Sequence, residues 1–415
     1  MTGNWHPLLA GPGAERVSAA VHEIAAALAS APLPPEGRGA SLAAGQAGQA
    51  VFHAYLALAE NDEAQADLAA ALLDGAVEAL ATTPLPPMLY VGFPGVAWVA
   101  EHLQGRLFEP GEEDPNLDVD EALLGALDRS PWPGDYDLIT GLVGLGVYAL
   151  ERLPRPTARA LLEKIVERLA ERSERMPAGI SWFTPPERLP EWQRELHPNG
   201  YYNLGVAHGV PAVVAVLAGA AAAGVDRARP LLDDAVRWLL AQRQGPESSS
   251  CFSTSFYPGE DPSLSRLAWC YGDPGVAASL LAAARAVGET AWEEEARAIA
   301  RLAAGRSAET AMVRDAGLCH GAAGVAHLFN RMYQATGEEP LAEAARFWFD
   351  HALAIRQPGE GIAGFRVWTA GQDGGPPWRT DPGFLEGTTG IGLALLAAVS
   401  SVEPAWDRVL LVSLP

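Results

Sequence analysis

The chain has 415 residues, is 49% hydrophobic and only 19% charged, and includes 43 glycines, a composition that fits a large packed interior and excludes disorder. Its formal charge of −22 excludes a nucleic-acid groove or an anionic membrane surface as partner, because both need local excess Lys and Arg, and leaves room for a polypeptide with basic patches. Three cysteines, Cys251, Cys270 and Cys319, are too few and too scattered for a disulfide framework and suit a reducing compartment.

The N-terminus, MTGNWHPLLAGPG, lacks the basic and apolar regions of a signal peptide. The longest apolar stretch, residues 210–225, is shorter than the roughly 20 residues of a spanning helix. A cytoplasmic protein with no transmembrane segment is expected. The length permits two domains or one large repetitive domain, so internal repeats decide the matter.

Gly-x-x-Gly followed by a helix-compatible apolar run begins at Gly45, Gly92, Gly141, Gly272, Gly321 and Gly387, and a further copy begins at Gly209, with Ala212 at the second glycine position. Successive copies start 47 to 68 residues apart, the length of a helical hairpin with its loops. Runs such as residues 276–287 are small and apolar almost all round, as in a helix buried on every side. Between them lie amphipathic stretches: Leu161, Leu162, Ile165, Val166 and Leu169 share one face, with Glu163, Lys164, Glu167 and Arg168 elsewhere. Leu231, Leu232, Val236, Leu239 and Leu240 repeat that pattern. Seven units of an inner and an outer helix result, and because the first and last copies are as apolar as the rest, a closed α/α toroid is expected rather than an open solenoid with polar caps. The glycines would permit positive φ and close backbone approach at one mouth of the ring.

Two of these turns carry metal-binding residue types. In RLAWCYGDPG, Cys270 stands two residues before Gly272; in GLCHGAAG, Cys319 stands two before Gly321, with His320 beside it. Two thiolates and an imidazole from equivalent positions suit Zn²⁺, with a fourth position left for water or substrate. Cys251 is out of phase with the repeat and reads as a structural thiol. His22, His53, His102 and His351 read as surface or core histidines, and His327, on the helix after the CHG turn, as a neighbour of the metal shell. For Asp273 and Glu386, turn capping outweighs substrate binding. Residues 177–203, with Trp182, Trp192, Tyr201 and Tyr202, depart from the helical pattern and read as a lid or a leader-binding element.

The WCYG, LCHG and AHG segments at matching repeat positions make the chain resemble the lanthionine synthetase C-like family, in particular its free-standing lanthipeptide (lantibiotic) cyclases, over about residues 41–399 of a single 1–415 domain. The resemblance implies an all-α toroid of seven inner and seven outer helices with loop-rich insertions. It implies Zn²⁺ on Cys270, Cys319 and His320. It places a catalytic histidine at His208 in GVAHG, an aspartate at Asp137 in YDLITG, and an arginine at Arg266. The activity implied is addition of a peptide cysteine thiolate to dehydroalanine or dehydrobutyrine, closing (methyl)lanthionine rings. A dehydrated, leader-bearing precursor peptide would be the substrate, and a complex with a dehydratase and an exporter, peripheral to a membrane, is the expected setting. Ala212 departs from the family's glycine and bears on packing.

Within that chemistry His208 can accept a thiol proton and donate one to carbon. Asp137 can raise its pKa, orient it, or act on the thiol proton itself. Arg266 either supports the enolate oxygen or pairs with a carboxylate such as Asp137. Trp269 and Tyr271 flank Cys270 and either line the mouth or pack between helices. The competing readings are a zinc-containing peptide-binding relative without activity, and another toroid enzyme such as a zinc prenyltransferase or a carbohydrate hydrolase; the latter needs paired carboxylates that are not evident.

Overall fold

A computed structural model describes residues 5–33, 36–111, 113–369 and 375–415 of the chain. The chain divides into two compact units. The first consists of residues up to Asp114 together with Met312–Trp406, and the second of Pro115–Ala311 with Asp407–Pro415.

The chain starts in the first unit with helices α1 (Gly11–Leu28), α2 (Gln46–Glu60), α3 (Glu63–Thr82) and α4 (Phe93–Leu103). It continues in the second with α5 (Leu117–Leu127), α6 (Leu142–Glu151), α7 (Pro156–Arg172), α8 (Glu191–Leu196), α9 (Val210–Ala222), α10 (Ala228–Ala241), α11 (Asp273–Val287), α12 (Thr290–Ala304) and the single turn α13 (Ala308–Ala311). It then returns to the first with α14 (Ala322–Thr336), α15 (Glu339–Ala354) and α16 (Thr388–Val399). No helix among the described residues is long and apolar enough to cross a membrane.

Each recurring glycine stands at the N-cap of a helix: α2, α4, α6, α9, α11, α14 and α16 follow Gly45, Gly92, Gly141, Gly209, Gly272, Gly321 and Gly387. These helices are buried nearly all round, as their composition demands; in α9 every residue from Val210 to Ala220 is buried. The helices between them bury one stripe. In α7 the buried set is Ala158, Leu161, Leu162, Ile165, Val166 and Leu169, as the periodicity predicts, and also Arg168. Arg168 tolerates burial because its guanidinium pairs with Glu171 at 2.8 Å.

In the first unit α2 packs on α3, α14 on α15, and α16 lies beside both α14 and α2. The last of the recurring helices thus touches the first. An open solenoid would hold those ends apart, so the expectation of closure is met here by direct packing. The outer partner of α16 is α1, from the opposite end of the sequence. Trp5 fastens that closure by donating its indole N–H to the Ala397 carbonyl at 2.9 Å. Buried histidines serve this core: His102 stacks on Trp98 at 4.4 Å and is hydrogen-bonded to the Tyr55 hydroxyl. His327 lies against Trp406 at 4.7 Å, also a core position.

In the second unit α9 packs between α6 and α11, with α7, α10 and α12 as the corresponding outer helices. A buried ion pair, Arg152 with Asp120 at 2.6 Å, is completed by the Tyr148 hydroxyl at 2.7 Å. Residues 174–203 break the helical pattern as expected. They form the antiparallel pair β1 (Glu174–Met176) and β2 (Gly179–Ser181), then β3 (Phe183–Thr184), α8 and β4 (Tyr201–Asn203). The middle strand β4 pairs with β3 and with β5 (Ser255–Phe256), so the insertion is stitched to the loop before α11. In the first unit β6 (Val367–Trp368) and β7 (Trp378–Arg379) form a further antiparallel pair.

The recurring glycines are required for a different reason from the positive φ anticipated. Their φ angles are negative or extended, from −93° at Gly387 to 166° at Gly272. What excludes a side chain is the backbone of the preceding loop: a Cβ on Gly92 would lie 1.8 Å from the Pro86 carbonyl oxygen, and one on Gly95 would lie 1.9 Å from that of Leu89. Each glycine pair therefore lets a loop fold flat onto the start of its helix. Gly95→Ala should cost about 2–3 kcal/mol through forced displacement of the Leu89 carbonyl, seen as a lowered thermal midpoint.

Candidate active site and metal centre

Three of the loops that precede these helices share a construction that sequence reading missed. Six residues before the N-cap glycine stands an Asp or Asn whose Oδ1 accepts the backbone N–H two residues on: Asn203 from Gly205 at 2.9 Å, Asp315 from Gly317 at 3.0 Å, and Asp381 from Gly383 at 2.7 Å. This Asx turn aims the loop across the helix N-terminus. The spacing Asp/Asn-x-Gly, its glycine four residues before the capping glycine, was the available signal. In the loops before α9, α11 and α14, the last of which has the Asx turn as the first does while the second has Arg266 in its place, the two residues before the capping glycine occupy equivalent positions: Ala207 and His208, Cys270 and Tyr271, Cys319 and His320.

Among the described residues, Cys270, Cys319 and His320 form a group whose ligand atoms all lie within 4.8 Å of one another and which could hold a metal ion. Cys270 is buried. Cys319 is held by its backbone N–H, which donates to the Leu385 carbonyl at 2.7 Å. His320 Nε2 lies 3.8 Å from the Asp315 carboxylate. The donors, two sulfurs and one imidazole nitrogen, are the set that an open zinc site uses, with one position left. Arg266 stands with its guanidinium 3.9 Å from Cys270 Sγ rather than on Asp137, so its charge is applied to that sulfur. Cys251 is apart from this group. It is buried, its thiol is pushed up to about 11 chiefly by burial and next by Asp273, and its backbone N–H donates to Asp273. Asp273 also accepts the Phe252 N–H and so fastens a loop, while Glu386 pairs with Arg379 at 2.6 Å.

His208 and Asp137 meet directly. His208 Nδ1–H donates to Asp137 Oδ2, and Asp137 Oδ1 accepts from Thr140 twice, from its N–H at 2.7 Å and its hydroxyl at 2.9 Å. Burial pushes the Asp137 carboxyl up, but the bonds from His208 and Thr140 outweigh it and hold the group below the ordinary carboxylate value. Burial pulls His208 down, and the hydrogen bond and charge of Asp137, with Cys270 and Asp135, carry it above its ordinary value. Nε2 is the ring nitrogen that does not face Asp137. Tyr271 stacks against the ring at 6.2 Å between centroids and, desolvated, stays a neutral phenol well above pH 10.

These shifts fix the pH behaviour. The His208 contribution to stability is present below its unfolded value near 6.5 and is lost as pH rises through the raised folded value. The Asp137 contribution is present above the unfolded carboxylate value and is lost as pH falls through the lowered folded one. The pair is thus worth most between roughly pH 4 and 6.5. Asp137→Asn should lower the His208 ionisation, followed by NMR of the imidazole, to about 6.5 or less; an unchanged value would show that the carboxylate does not control the ring.

A cleft of about 230 Å³ opens beside the pair, with Asp137, Thr140, His208 and Tyr271 on its floor. Phe183, Arg188 and Leu189 of the inserted segment supply another wall. This wall belongs to residues 177–203, read as a lid or a leader-binding element; the Trp192 side chain lies outside the described residues. Tyr271, read as lining a mouth or packing between helices, lines the cleft. Trp269 does not belong to a mouth: it is 1% exposed and donates its indole N–H to the Leu410 carbonyl at 2.8 Å. Beside Cys270, Gly205 admits no side chain, since a Cβ there would lie 2.2 Å from the Cys270 carbonyl oxygen.

The solved structure of nisin cyclase is similar to this chain with a TM-score of 0.73 at 20% sequence identity, over 96% of this chain and 97% of that one. At that identity the likeness establishes the fold, the all-α toroid. Residues 37–411 match the profile of the family described as "Lanthionine synthetase C-like protein", a match that runs through both compact units. The chain belongs to the lanthionine synthetase C-like family.

Proposed function

We propose that this protein is a zinc-dependent lanthipeptide cyclase that adds peptide cysteine thiolates to dehydroalanine or dehydrobutyrine residues. The observation that carries the reading is the Cys270, Cys319 and His320 donor group, in a chain that also pairs His208 with Asp137. Bound there, Zn²⁺ would supply a fourth position at which a peptide thiol, ordinarily near pKa 8.5, is deprotonated at neutral pH.

The chain's own residues account for the rest. Addition of the thiolate to the β-carbon of the dehydro residue forms the C–S bond and moves the π electrons onto the carbonyl, leaving an enolate whose α-carbon needs a proton. His208 holds that proton on Nε2, because Asp137 occupies Nδ1 and favours the charged ring. Tyr271 flanks the imidazole and, as a neutral phenol, can hydrogen-bond the enolate oxygen. Arg266 offsets negative charge at Cys270. The inserted segment supplies part of the cleft lining beside the pair.

The reaction consumes dehydroamino acids, so a dehydratase must act on the precursor first; assembly with it and with an exporter, at the membrane face of a reducing cytoplasm, fits the chemistry. The test is incubation of the zinc-loaded protein with a synthetic leader peptide bearing one dehydroalanine and one cysteine. Ring closure leaves the mass unchanged and protects the cysteine from alkylation. A protein that binds zinc and the peptide yet leaves the thiol alkylatable is a peptide-binding relative instead.

A further inference from the structure

The segment that walls the cleft is joined to the His208–Asp137 pair by an unbroken series of side-chain hydrogen bonds. Arg188, in the short turn after β3, donates from Nη1 to Asp135 Oδ1 at 3.0 Å and from Nη2 to the Pro133 carbonyl. Asp135 Oδ2 accepts from the Thr140 hydroxyl at 3.2 Å. The same hydroxyl reaches Asp137 Oδ1 at 2.9 Å, and Asp137 Oδ2 holds His208.

We propose that Arg188 is a positioning residue for the His208–Asp137 pair, acting through Asp135 and Thr140, so that the wall of the cleft and the geometry of the proton donor are set together. One proton decides the matter. A threonine hydroxyl has a single hydrogen, and Thr140 stands between two carboxylates that compete for it. With Arg188 bonded to Asp135, that carboxylate is largely neutralised and the hydroxyl serves Asp137. Without Arg188, Asp135 becomes the stronger acceptor, the hydroxyl turns toward it, and Asp137 loses one of the bonds that fix its orientation toward the imidazole. Arg172, which lines the same cleft and lies within the field of Asp135, donates its hydrogen bonds to the Trp132 and Gly134 carbonyls rather than to that carboxylate.

The inference rests on the cyclase reading for the use made of His208, but its structural half is tested without turnover. In the intact protein the Nδ1 proton of His208, held by a carboxylate, should give a far-downfield ¹H resonance, assigned by its absence in His208→Ala. Arg188→Ala should move it upfield or lose it to exchange. Arg188→Lys, which keeps one bond to Asp135, should restore it, and so should Asp135→Asn in the Arg188→Ala background, which removes the competing charge. With the dehydroalanine peptide, Arg188→Ala should lower kcat about 10-fold with KM changed less than about twofold. A resonance unmoved by Arg188→Ala, or one not restored by Asp135→Asn, overturns the proposal. Absent turnover with the predicted NMR pattern overturns the cyclase reading and leaves the positioning role standing.

Discussion

His208→Ala is expected to abolish ring closure, by at least about 100-fold, while the protein keeps its fold and its zinc. The reason is that, among the described residues named on the cleft lining, the imidazole is the group suited to both gain and give up a proton near neutrality: Asp137 is held ionised, and the Tyr271 phenol, pushed well above its ordinary range by burial, keeps its proton. Uncatalysed protonation of an enolate by water remains available, so a residual rate and loss of stereochemical control at the α-carbon are expected together. The measurement is alkylation protection over time, with chiral analysis of the lanthionine and zinc content of the same sample. Full activity in His208→Ala would transfer the proton donor elsewhere.

Cys319→Ala should have the second large effect, losing both metal and activity. If the three residues of the group hold the ion as proposed, removing one leaves Cys270 and His320 to hold it. Stability should fall as well, since a metal that binds the folded chain contributes in proportion to the logarithm of its concentration over its Kd. The expected signature is a thermal midpoint that rises with added Zn²⁺ in the native protein and is indifferent to it in Cys319→Ala. A variant that retains one equivalent of zinc would show that the ion sits elsewhere.

The repeat was legible because most of its glycines are demanded by backbone crowding, with Ala212 the one replacement, and because buried and half-buried helices differ in composition. The positions of Cys270, Cys319 and His320 in that frame were legible for the same reason. The Asx residues were harder, since Asn203, Asp315 and Asp381 differ in type and lie in loops whose other residues vary. The pairing of α1 with α16 joins the two ends of the chain and has no local signature. Trp269 shows a different limit: an aromatic beside a candidate metal-binding cysteine has the same sequence whether it faces a cleft or a core, and contacts such as that with the Leu410 carbonyl, far along the chain, decide. Arg266 shows another, because a loop guanidinium four residues before a cysteine can reach a sulfur or a carboxylate equally well. The bond of Arg188 to Asp135 spans two loops and depends on how β3 is paired with β4.

X-ray absorption at the zinc edge of the loaded protein tests the central claim most directly. One zinc per chain with two sulfurs at about 2.3 Å and nitrogen or oxygen at about 2.0–2.1 Å is the predicted shell, with a third sulfur appearing when a cysteine peptide is added. A shell of nitrogen and oxygen alone, or sulfur scattering that survives replacement of both Cys270 and Cys319, would contradict it.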